Sequence, residues 1–139
     1  RELRERLRIK LQQAWVEWCG RVGQIQIARE LLKADCMLYP PHSFRETYGI
    51  AFLEAQAAGC LVFYRQNGAL GETVGDRGFP IPCDATPEQT LTLVVSNLKR
   101  REEGDIIEIR QKAQDYALNR SWGKQAEKIL RLYEQIGKE

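Results

Sequence analysis

The sequence predicts an α/β domain, a parallel sheet flanked by helices and followed by a helical C-terminal tail, and three observations carry that expectation. Short apolar runs of strand length alternate with amphipathic stretches of helix length; proline and glycine punctuate the junctions; the last third carries helical patterns alone. Composition agrees with one ordinary globular unit: 139 residues, 43% hydrophobic and 29% charged.

Leu3, Leu7 and Leu11 recur every four residues between charges, which marks residues 1 to about 13 as a surface helix with a narrow apolar stripe. The segment AWVEWCGRV, Ala14 to Val22, gathers Trp15, Val16, Trp18 and Cys19 before Gly20 and reads as a short strand. Gly23 turns the chain, and QIQIARELLKAD places Ile27, Leu31 and Leu32 on one face of a helix to about Ala34. Cys36 to Tyr39 is an apolar run stopped by Pro40-Pro41. After the loop PHSFRE, the segment TYGIAFLEAQAAG offers Ile50, Phe52, Ala55 and Ala58 to a buried helix ended by Gly59. Cys60 to Tyr64 is another strand, and Asn67-Gly68 opens a loop through Gly71. Phe79-Pro80-Ile81 fits only a short edge strand, because Pro80 has no amide hydrogen. Thr86-Pro87-Glu88 starts a helix that runs through Leu98, and two more amphipathic helices follow near 105–119 and 121–136. No repeat or linker interrupts, so residues 1–139 read as one domain.

Charge and cysteine usage exclude several function classes. Lys and Arg number 21 against 19 acidic residues, and Lys99-Arg100-Arg101 is answered at once by Glu102-Glu103, so no nucleic-acid partner is expected. Apolar runs fall far short of the roughly 20 residues needed to cross a bilayer, and the basic first segment lacks a signal peptide's apolar core. Cys19, Cys36, Cys60 and Cys83 form no C-x-x-C pair, and three lie in or beside apolar runs; they read as buried thiols in a reducing, cytoplasmic setting. His42 is the only histidine, and no metal site is expected. The only methionine is Met37, so the chain is expected to be cut from something longer.

Ligands of an open parallel sheet bind beyond the carboxyl ends of its strands, near helix N-termini. The loop from Pro40 to Thr47 is expected there. Glu46 stands at the mouth of the helix, Gly49 lets a ligand approach the backbone, and the amides of Tyr48, Gly49 and Ile50 could cradle a phosphate. Glu54 follows Glu46 by eight residues, a little over two helical turns, so both carboxylates project from nearly one side. Two acceptors so spaced suit a polyhydroxyl ligand such as a sugar or ribose. The alternative is plain: Glu46 caps the helix and Glu54 is solvated. Against that, Glu54 sits in IAFLEAQAAG, an apolar stretch where a solvated charge is least expected and where a buried or cleft-lining carboxylate needs a partner.

The segment YPPHSFRETYGIAFLEAQAAGCLVFY resembles the signature of retaining glycosyltransferase family 4, the group 1 enzymes of GT-B fold. The resemblance rests on Glu-x7-Glu as Glu46 and Glu54, Gly49 between them, and Glu54 to Gly59 as EA-x-A-x-G. It extends to Gly20-Arg21-Val22 as a G-x-V turn, to Gly68-Ala69-Leu70 with Glu72-Thr73-Val74, and to Ser121-Trp122. It implies the Rossmann-like, nucleotide-sugar-binding C-terminal half of a two-domain transferase that uses no metal or other cofactor. Glu46 would hold the donor sugar as the catalytic-site carboxylate and Glu54 the ribose hydroxyls. Thr47, Tyr48, Gly49 and Ile50 would meet sugar and diphosphate, Val22 would line the base pocket, and Gly68, Ala69 and Leu70 would adjoin the donor. The acceptor domain and this domain's first strand would precede Arg1, leaving the isolated chain inactive and an exposed sheet edge open to self-association. Rival readings are a protein-interaction module on the same fold and another GT-B enzyme such as a sugar-nucleotide epimerase or a phosphorylase.

Other candidates carry bland alternatives. Arg45 and Arg65 could replace diphosphate contacts or be ordinary surface arginines. His42 could touch a sugar or have no duty, and Glu72 could sit by the donor or be a loop carboxylate. Trp15 and Trp18 fit core or interface packing, and Trp122 fits an anchor joining the tail to the sheet.

Overall fold

The sheet is organised around its middle strand. The computed structural model describes residues 5, 9, 12–40 and 45–137, and its three strands lie in the order β1 (Cys36–Tyr39), β2 (Leu61–Arg65), β3 (Phe79–Ile81). Both pairings are parallel, with Cys36 opposite Leu61 and Phe63 opposite Phe79. All five residues of β2 are buried, as expected for a parallel strand covered on both faces. Its side chains alternate between two cores. Val62 and Tyr64 join Phe52, Ala55, Leu70 and Val74 on one face, while Leu61 and Phe63 join Ile81, Val94 and Ile106 on the other. Rossmann-like α/β architecture follows from this three-layer packing.

Six α-helices accompany the sheet among the described residues: α1 (Gln24–Leu31), α2 (Ile50–Ala57), α3 (Leu70–Thr73), α4 (Pro87–Lys99), α5 (Gly104–Leu118) and α6 (Trp122–Ile136). α2 begins at Gly49, whose φ of 85° is left-handed, and ends in a Schellman turn at Gly59. There the Cys60 amide donates to the Ala55 carbonyl and the Gly59 amide to that of Gln56. α4 starts with a capping box, Thr86 and Gln89 each receiving the other's backbone amide, and with Pro87 in its first turn. α5 begins in the second core with Ile106 and packs its Ala113 and Ala117 toward α2, where Gln114 donates to the Ala57 carbonyl at 3.0 Å.

Several sequence expectations are corrected. The segment from Ala14 to Val22 is not a strand: residues 12–15 turn and 16–20 have no regular structure. Trp15 is 83% and Trp18 70% exposed, so neither packs in the core. Their β propensity describes fit to a half-buried pleated surface, and among the described residues no strand runs beside this segment. Among the described residues β1 therefore has a neighbouring strand on one side only. Of the four cysteines only Cys60 is buried; Cys36 is half-buried, and Cys19 and Cys83 are exposed. Burial is the main cause that pushes the Cys60 and Cys36 thiols upward. The 67–71 segment is not all loop, since Leu70 begins the short helix α3. The proposed helix over residues 1–13 lies mostly outside the described residues, as does His42.

Candidate functional site

The turn from Glu46 to Gly49 stands at the carboxyl end of β1 and opens into α2, where free amides and the positive end of the helix dipole face outward. A cavity of about 400 Å³ lies against it, lined by Met37, Tyr39, the run from Glu46 to Ala51, and Phe52. Five of the predicted residues, Glu46, Thr47, Tyr48, Gly49 and Ile50, are thus brought to one concavity. Tyr39 and Phe52 meet edge to face with centroids 5.5 Å apart and brace its floor.

Glu46 is half-buried, and its Oε1 accepts the Gly49 amide at 3.2 Å. The capping alternative and the ligand reading therefore coexist in one geometry: the carboxylate steadies the turn and still lines the cavity. Gly49 has little freedom to be anything else. A Cβ there would lie 2.8 Å from Leu70 and 3.2 Å from Phe52, in a left-handed conformation.

Glu54 lies elsewhere. It is exposed on α2 and lines a neighbouring cavity of about 440 Å³ with Tyr48, Ile50, Leu53, Arg120 and Trp122. It also borders a wider groove between α1 and α2, where Ile27, Ala28 and Leu31 face Ala57 and Ala58. Glu46 and Glu54 thus open into two adjoining concavities, with Tyr48 and Ile50 lining both and forming the ridge between them.

The predicted residues Gly68, Ala69 and Leu70 lie behind the turn. The Ala69 amide donates to the Glu46 carbonyl at 2.8 Å. A Cβ on Gly68, whose φ is 62°, would stand 2.1 Å from that same oxygen. Leu70 is fully buried in the first core. None of the three lines the cavity at Glu46. Val22 is half-buried just before α1 and lines neither that cavity nor the two at Glu54.

Arg65 is not a surface arginine. Its guanidinium is buried and donates to the carbonyls of Cys83 at 2.8 Å and Ala85 at 2.9 Å, fastening the segment after β3. Arg45 and Glu72 are exposed. Trp122 is 79% exposed and borders both cavities at Glu54, so it does not anchor the tail in the core.

Sequence reasoning missed Thr73. It is buried in α3, and its hydroxyl donates to the Tyr48 carbonyl at 2.5 Å. No local pattern signals that pairing, since the partners are 25 residues apart. Among the described residues no cluster of His, Cys, Asp and Glu could hold a metal ion, and no helix is long and apolar enough to cross a membrane.

Residues 1–117 match the family model described as glycosyl transferases group 1. No curated protein matches the chain.

Proposed function

The chain belongs to the group 1 glycosyltransferases, and from that premise we propose that it is a donor domain that binds a nucleoside-diphosphate sugar for retaining glycosyl transfer. One observation carries the reading: two carboxylates open into adjoining cavities separated by a ridge at a helix N-terminus. A molecule with sugar at one end, ribose at the other and a diphosphate between has the shape to straddle that ridge. Glu46 accepts from the sugar hydroxyls, Glu54 accepts from the ribose hydroxyls, and the diphosphate lies over the first turn of α2.

The Gly49 amide is already shared with Glu46, so the phosphates rely chiefly on the amides of Tyr48 and Ile50. Negative charge grows on the diphosphate as the glycosidic bond breaks. Fixed amides at a helix terminus stabilise that charge without reorganising. Val22, which lines none of the three cavities, would border the base by the resemblance alone. Retention, metal independence and membership of family 4 rest on the resemblance of Glu46 to Gly59, as does the expectation that acceptor binding and full activity require a further domain. The edge of β1 left open among the described residues is the place where a first strand of this same domain, implied by the resemblance, or a second copy would pair.

The test is thermal stabilisation of the chain by UDP, GDP, ADP and their hexose conjugates at millimolar concentration. A ligand at ten times its dissociation constant adds about 1.4 kcal/mol, a readable shift. One nucleotide series stabilising the parent, weakened by Glu54→Ala, is the expected result. Equal responses of parent and Glu54→Ala would remove the ribose role, and no response to any nucleotide would remove the donor-domain reading for this chain.

A further inference from the structure

A trans peptide is planar, so its carbonyl and its N–H point in opposite directions and turn together. The peptide joining Tyr48 to Gly49 is held at both ends. Its carbonyl accepts the Thr73 hydroxyl, and its N–H donates to Glu46 Oε1. Gly49 tolerates either sense of this plane because it lacks a Cβ, so the plane's orientation has to be imposed from outside.

Thr73 is well placed to impose it. It is 4% exposed and does not line the cavity. Its own amide is fixed to the Ala69 carbonyl at 2.9 Å, and Ala69 in turn donates to the Glu46 carbonyl. Arg77 Nη2 donates to the carbonyls of Glu72 at 2.9 Å and Thr73 at 3.2 Å. The same guanidinium stacks 3.6 Å over the Tyr116 ring on α5. Helix α3 is thereby clamped between the turn and α5.

We propose that Thr73 is a positioning residue: its hydroxyl sets the Tyr48–Gly49 peptide plane, and that plane aims the Glu46 carboxylate at the ligand. The sugar as the thing aimed at rests on the donor-domain reading above. Without the hydroxyl, the Tyr48 carbonyl loses a buried partner and the plane is free to turn. Glu46 then loses the Gly49 amide that orients it, while Glu54 and the helix-terminal ridge stay where they are.

The experiment compares the parent with Thr73→Val, Thr73→Ser and Glu46→Gln for binding of nucleoside diphosphates and of their hexose conjugates, with melting temperature recorded for each. The affinity that the hexose adds to the bare nucleotide should fall about tenfold in Thr73→Val and in Glu46→Gln. Thr73→Ser should keep it, and the double variant Thr73→Val/Glu46→Gln should be no worse than either single one. Equal weakening of nucleotide and conjugate, or Thr73→Ser behaving like Thr73→Val, would overturn the proposal. Where the parent binds no nucleotide, or gains nothing from the hexose, the donor reading has failed separately. The positioning claim is then decided by hydrogen exchange at the Gly49 amide: faster in Thr73→Val but not in Thr73→Ser supports it, and unchanged exchange in Thr73→Val overturns it.

Discussion

The turn at Glu46 and the outer helices α1 and α6 are both at the surface, yet they are held in opposite ways. The turn is fastened from behind by hydrogen bonds to Ala69 and Thr73 and by the near-contact of Gly68. α1 and α6 contain no fully buried residue, and Ile25, Leu32, Trp122, Leu130 and Tyr133 are all exposed. The difference teaches that amphipathic pattern and tertiary fixation are separate properties. α6 has a pronounced apolar side and no core to receive it, whereas the turn has almost no apolar pattern and is bonded through the Glu46 carbonyl and both ends of the Tyr48–Gly49 peptide.

The sharpest way to break that comparison is Gly68→Ala. A Cβ at 2.1 Å from the Glu46 carbonyl, in a left-handed backbone, should destabilise the chain by about 3 kcal/mol. Urea unfolding measures it, and a change under about 1 kcal/mol would mean that the turn is not clamped as described. Next in size is Arg65→Met, which removes donors to the Cys83 and Ala85 carbonyls while keeping much of the volume. A loss of about 1–2 kcal/mol is expected in the same titration.

A smaller effect tests the tie between the 3-10 turn Gly75–Arg77 and α5. Lys112 donates to Asp76, and that hydrogen bond first, then the Lys112 and Arg77 charges, holds the Asp76 carboxyl below its usual value of 3.8. A carboxylate with a lowered folded pKa contributes stability above its unfolded pKa, and that contribution is lost as pH falls through the folded value. Asp76→Asn should therefore leave stability between pH 4 and 3, the start of that window, less steeply dependent on pH than in the parent, with little change in that slope at pH 7. Acid titration of the melting temperature reads both. The smallest effect belongs to the outer helix: Tyr133→Ala on α6, 70% exposed in the parent, should change stability by less than about 0.5 kcal/mol. A loss of 2 kcal/mol would show that α6 is buried in solution and would erase the contrast.

Legibility in the sequence follows the same division. Strands β1, β2 and β3 and helices α2, α4, α5 and α6 were readable because short apolar runs, amphipathic spacing, Gly59 as a stop and Thr86-Pro87 as a start act within a few residues. Glu46 and Gly49 were readable as a helix mouth for the same reason. The segment at Trp15 and Trp18 misled, since aromatic and branched residues describe a strand only where another strand lies alongside. Arg65 misled in the other direction, because an arginine at the end of an apolar run gives no sign that carbonyls 18 and 20 residues away will surround it.

By itself the sequence determined strands β1 to β3 and helices α1, α2, α4, α5 and α6, and that a carboxylate and a glycine meet at a helix mouth, because capping, propensity and periodicity are local interactions. Only the tertiary structure decided that Glu46 and Glu54 open into separate cavities, that Thr73 grips the Tyr48 carbonyl, and that the aromatic residues before α1 stay outside the core. Those outcomes depend on which distant groups the packed sheet brings within hydrogen-bonding distance, and a buried polar group takes whatever partner the fold supplies.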